Sequence, residues 1–144
     1  MKIPKWLYII FLIVSFIGFL DATYITAKHY FGSPITCSIL GGCEQVTTSI
    51  YSAVFNIPVA LIGAVYYLSL FTLTVLYLDI KNEHVFYTAS KITVLGFMAS
   101  LWFVYLQFFI LNAFCLYCLV SAATSTILFA LGITTLNLKY RQNH

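Results

Sequence analysis

Four apolar stretches, each long enough to cross a lipid bilayer, take up most of this chain, at about residues 6–27, 54–78, 85–111 and 113–138. Crossing the hydrocarbon layer takes roughly 20 apolar residues in a helix, because each residue advances only about 1.5 Å along the axis. Helices are the form such segments must take, since lipid offers no partner to the backbone N–H and C=O groups that an open strand leaves unpaired. The chain has 144 residues, 62% hydrophobic and 8% charged, so what lies between the spans is too short to build a soluble domain with its own core. The expectation is an all-α integral membrane protein. Residues 1–144 form a single domain, a four-transmembrane-helix bundle with one sizeable loop at about 28–53.

Orientation follows from Lys and Arg, which are enriched in loops that stay in the cytoplasm. With both termini inside, Lys2, Lys5, Lys81, Lys91, Lys139 and Arg141 fall on the inner side and only Lys28 on the outer. The first span is read as retained rather than as a cleaved signal peptide, because its apolar run is long and no small-x-small site follows near Lys28. The net charge of +3 is then a topology signal. No basic stripe or recognition motif points to nucleic acid. The chain is expected in the cell membrane, with residues 28–53 and the start of the fourth span on the extracytoplasmic face.

That topology puts all four cysteines, Cys37, Cys43, Cys115 and Cys118, on the side where disulfides persist. In Cys115-Leu116-Tyr117-Cys118 the two thiols are three residues apart, so a helix sets them on one face at a separation a disulfide tolerates. They open a helix, where unpaired N–H groups and the positive end of the dipole stabilise a thiolate, the nucleophilic form. Two small buried hydrophobes are the plainer reading of this pair. The second pair, Cys37 and Cys43, flanks Gly41-Gly42 in the polar loop. It is either a static staple or a mobile partner, and a Cys₄ zinc site suits the loose spacing poorly. One pair at membrane depth and one on a hinged loop is the arrangement that passes electrons by thiol-disulfide exchange.

An acceptor in the bilayer is needed for those electrons. The chain has no haem or iron-sulfur ligand set and no Gly-rich dinucleotide fingerprint, whereas a lipid-soluble quinone needs only an aromatic and apolar pocket with a polar contact or two. Trp102, Tyr105, Phe108, Phe109 and Phe114 lie at the right depth. They are equally well placed to form an interfacial aromatic belt.

The chain resembles the vitamin K epoxide reductase family, in particular its short bacterial disulfide-generating members. The resemblance rests on the Cys37-x5-Cys43 pair within "CSILGGCEQV", Ser49 six residues later, "NIPVALIG" opening the second span and Cys115-x-x-Cys118 opening the fourth. It implies a four-helix bundle around a quinone of the menaquinone or ubiquinone type. Cys115 and Cys118 would be the redox centre, with Cys118 facing the quinone and Cys115 exchanging with the shuttle pair Cys37 and Cys43. Ser49 would favour the reactive form of the centre, and Asn56 would offer an amide to the quinone. Electrons would come from a thioredoxin-like partner, expected here as a separate protein because the chain stops at His144. Vertebrate members carry a Thr-Tyr-Ala stretch where this chain has Ser121-Ala122-Ala123, which argues against vitamin K epoxide as substrate.

Asp21, Thr23, Tyr24 and His29 near the outer end of the first span are also family-like. A carboxyl in a membrane segment usually has a partner or a function, although water reaches the interface near Asp21. Three other readings stay open: a quinone or vitamin K epoxide reductase of an ER-type membrane, a related disulfide-to-quinone enzyme in which the membrane pair precedes the loop pair, and a non-enzymatic tetraspan protein with structural disulfides.

Overall fold

The computed structural model describes residues 3–31, 53–54, 57–111 and 116–143. Four long helices are present: α1 (Lys5–Phe31), α2 (Val59–Ile80), α3 (Glu83–Tyr105) and α4 (Leu116–Asn143). All four are long and apolar enough to cross a membrane, as the sequence leads one to expect. The second helix starts at Val59 rather than at 54. Ala53–Val54 (β1) instead pairs antiparallel with Ile57–Pro58 (β2), and Pro58, which lacks an N–H and fixes φ, stands at the N-cap. The third span is likewise not uniform, since Leu106–Leu111 continues α3 as a π-helical segment.

The helices pack in a ring, α1 on α2, α2 on α3, α3 on α4 and α4 back on α1. Neighbours run antiparallel. Gly63 of α2 faces Ala22 of α1, while further along α2 Tyr67 faces Gly18. Between α3 and α4, Phe97 stacks on Phe129 with centroids 4.2 Å apart, and the Lys139 ammonium lies 4.2 Å from the Tyr87 ring centre. Small residues let backbones approach where lipid supplies no hydrophobic drive between helices. At Gly132 an added Cβ would come 3.0 Å from the Ser90 carbonyl oxygen.

A narrow core of Leu7, Phe11, Leu70, Phe86 and Leu128 fills the half of the bundle where α1 begins. Phe11 and Phe86 meet with centroids 5.2 Å apart, and Tyr8 and Tyr77 close that end. The outward faces are just as apolar, with Ile9, Ile13, Leu95 and Met98 exposed. A helix hydrophobic all round belongs in lipid. Buried hydroxyls on the core faces are satisfied locally: Thr74 donates to Leu70, Ser90 to Phe86 and Thr135 to Leu131, each to the carbonyl one turn back.

The α2–α3 turn is built from two residues. Lys81 ends α2 in the left-handed conformation at φ 58°, its N–H donating to the Tyr77 carbonyl. Asn82 caps α3 by accepting from the His84 N–H at 3.1 Å. This turn, Lys5 and Lys139 share one end of the bundle, and Lys28 and the start of α4 share the other.

Candidate functional site

Cys118 is the third residue of α4. It is partly buried, and with Leu116, Tyr117 and Ala60 of α2 it packs against Ile25 of α1. Tyr117 lies over Tyr24 with centroids 5.0 Å apart, and the Lys28 ammonium sits 5.7 Å from the Tyr24 ring centre. Three helices therefore meet at Ile25, and the cysteine is part of that contact.

One turn inward is a hydroxyl cluster. Tyr67, 1% exposed, donates to the Ser121 carbonyl at 2.8 Å, which leaves its lone pairs free to accept from Ser125 at 2.9 Å or from the Ser121 hydroxyl at 3.1 Å. Thr124 Oγ1, 2.9 Å from the phenol oxygen, itself donates to the Ser121 carbonyl at 2.8 Å. The Tyr67 ring lies directly on the α1 backbone, because Gly18 has no Cβ to block it. Two polar side chains complete this half of the bundle. Asp21 Oδ2 is buried and has no hydrogen-bond partner among the described residues. Gln107 on the π-helical segment is 2% exposed, its amide nitrogen 3.5 Å from the Phe103 carbonyl oxygen.

Among the residues expected to carry the chemistry, Cys118, Trp102 and Tyr105 are described, and Cys37, Cys43, Ser49, Asn56, Phe114 and Cys115 lie outside the described residues. Trp102 and Tyr105 are 55% and 48% exposed on the outward face of α3. They stack on each other with centroids 6.0 Å apart, and Tyr105 continues onto Phe109 at 5.0 Å. They form a lipid-facing aromatic ladder rather than a wall of the bundle interior. Sequence reasoning passed over Tyr67 and its partners. The available signal was Ser121, Thr124 and Ser125 at helical i, i+3, i+4 spacing, opposite a tyrosine in mid-span.

A family model described as "Vitamin K epoxide reductase family" matches residues 9–133, a range that reaches from the first turns of α1 through most of α4 and takes in all four cysteines. The chain belongs to this family. Among vitamin K epoxide reductase family relatives, the thiol-disulfide oxidoreductase LTO1 of Arabidopsis thaliana is 35% identical over 131 residues, covering 83% of this chain and 34% of that protein. The chain thus spans about a third of the length of the curated relative it matches. Family membership and the four bilayer-length helices make it a multi-pass membrane protein.

Proposed function

We propose that the chain is a membrane thiol-disulfide oxidoreductase that takes electrons from a thioredoxin-like dithiol and passes them to a quinone of the menaquinone or ubiquinone type. In doing so it generates disulfides for extracytoplasmic proteins. The observation that carries this reading is Cys118 itself, a partly buried thiol side chain near the start of a bilayer-length helix, packed on Ile25 of α1. The printed name of the Arabidopsis relative supports the thiol-disulfide half, and family kinship supports the quinone half. The bundle core is apolar, and Asp21 Oδ2 is buried with no hydrogen-bond partner among the described residues, an oxygen that in protonated form donates to a quinone carbonyl.

In this scheme Cys37 and Cys43 are the shuttle pair, and Cys115 and Cys118 the membrane pair. Each cycle breaks two S–H bonds of the incoming dithiol and forms its disulfide. Exchange moves the two electrons to the loop pair and then to the membrane pair, and the quinone leaves as quinol with two electrons and two protons. Ser49 supplies a hydroxyl to the membrane pair, and Asn56 and Phe114 contact the quinone. Trp102 and Tyr105 offer it a stacking surface from the lipid. Cys118 and its neighbours lie on the extracytoplasmic side, the side opposite most of the basic residues.

The test is quinol formation by the protein in lipid nanodiscs, supplied with a reduced thioredoxin-like protein and quinone. Cys115→Ala and Cys118→Ala should each abolish it, while Cys37→Ala and Cys43→Ala should still bind quinone and stop accepting electrons. Unchanged dithiol-dependent quinone reduction in both membrane-pair variants overturns the reading. So do cysteines that stay oxidised whatever the quinone supply, which would mark a stapled structural protein.

A further inference from the structure

One buried carboxyl has no chemical step in the scheme so far. Asp21 Oδ2 is shielded from solvent with no hydrogen-bond partner among the described residues. Its neighbours on α1 fix where it stands. Gly18, three residues before it, meets the Tyr67 ring, and Ile25, four residues after it, packs with Cys118. Adjacent Ala22 faces Gly63 of α2, and Tyr24 stacks on Tyr117 of α4. Residues 18, 21 and 25 share one side of a helix. Asp21 is therefore bracketed at the seam of α1, α2 and α4, about 6 Å along the axis from the level of Ile25. The Tyr67 hydroxyl, whose ring lies on Gly18, and those of Thr124 and Ser125 are engaged with one another and with the Ser121 carbonyl. A carboxyl oxygen in a membrane helix without a donor is costly, and such groups face interior paths.

We propose that Asp21 is the proton-exchanging group of the reaction, carrying a proton between the Cys118 dithiol and the quinone. This rests on the dithiol-to-quinone reading above. When that dithiol is oxidised, two S–H bonds break, one S–S bond forms and two electrons leave. The quinone gains those electrons and two O–H bonds. The Asp21 carboxylate takes one of the two protons from a thiol and gives it up as one quinol O–H forms, ending as it began.

Among the described residues, the titratable or charged groups around it are few. On α1 they are Tyr24 and Lys28, the latter turned over the Tyr24 ring. On α2 they are Tyr67, tied to α4, and Tyr66, whose hydroxyl lies against Gly96 of α3. On α4 they are Tyr117 and Cys118. Of these, Cys118 alone gains and loses a proton in the cycle proposed.

The experiment compares the full chain with Asp21→Asn and Asp21→Glu in nanodiscs. It reads quinol formation against pH in H₂O and D₂O, and the time-resolved infrared difference spectrum after reduced protein meets quinone. Asp21→Asn should form quinol roughly 100-fold more slowly with a flattened pH profile, and Asp21→Glu should recover most of the rate. A carboxyl C=O band that rises and decays as quinol forms should be present in the wild type and absent from Asp21→Asn. A wild-type rate in Asp21→Asn, or no transient carboxyl band in the wild type, overturns the assignment and leaves the quinone reading intact. A wild type that forms no quinol overturns both. Should Asp21→Asn fail to fold, the wild-type band and Asp21→Glu still decide.

Discussion

The Tyr67 hydroxyl and the Ser121 carbonyl oxygen are 2.8 Å apart, a cross-link between the second and fourth helices one turn inward from Cys118. In lipid a phenol without a partner would be costly, and here it meets four oxygens of one helix face. The bond sets the height of α4 against α2, and with it the height of the cysteine turn.

Tyr67→Phe should keep the ring in place and lose only this tie. Ser121 and Ser125 can turn back to carbonyls of their own helix, so the expected loss is about 1–2 kcal/mol. Thermal unfolding in detergent, with helical circular dichroism as the signal, measures it.

Glycines on the α1–α2 seam should respond in opposite ways. Gly18→Ala drives a methyl into the Tyr67 ring, which its hydroxyl bonds prevent from moving aside, and a cost of about 1–3 kcal/mol or more is expected. Gly63→Ala places its Cβ an ordinary 3.8 Å from Ala22 Cβ and should be neutral or stabilising by up to about 1 kcal/mol through helix propensity. The same unfolding assay ranks the pair.

The Tyr24–Tyr117 contact, 5.0 Å between centroids, braces the turn that carries Cys118. Tyr117→Leu should cost about 1 kcal/mol of local packing. If labelling proceeds through local opening, maleimide should react roughly fivefold faster with Cys118 in a variant retaining that cysteine alone. No change in rate would show that the aromatic pair does not brace the turn.

At the opposite end, Lys81 holds φ 58° without being glycine. Lys81→Gly should stabilise by about 1 kcal/mol, since a side chain is disfavoured in the left-handed region. Asn82→Ala removes the α3 cap and should cost about 1 kcal/mol. The two shifts in melting temperature have opposite sign.

The four spans were legible because length and apolarity alone dictate helices in lipid. The start of α2 was not. Val54 and Ile57 are as apolar as the helix that follows, and Pro58 is the residue that hints they stand outside it. Aromatic residues were the hardest to place. Depth in the membrane follows from position along a span, but whether Trp102 faces lipid or the bundle depends on which side α4 occupies. Asp21 was readable as costly; that its oxygen is buried without a donor depends on how three helices meet. Gly18-x3-Ala22 did carry a readable signal, a small-xxx-small pair marking the face where α2 would approach.

The π-helical segment Leu106–Leu111 accommodates an extra residue in a turn, so it is a property of chain length more than of residue type. Relatives without it should show a one-residue gap here when aligned, whatever their side chains. Deleting one residue within the segment would restore a plain α-helix. Trp102 and Tyr105 would then rotate by about 100° relative to the start of α4, making this stretch a dial that sets which residues of the third span meet lipid.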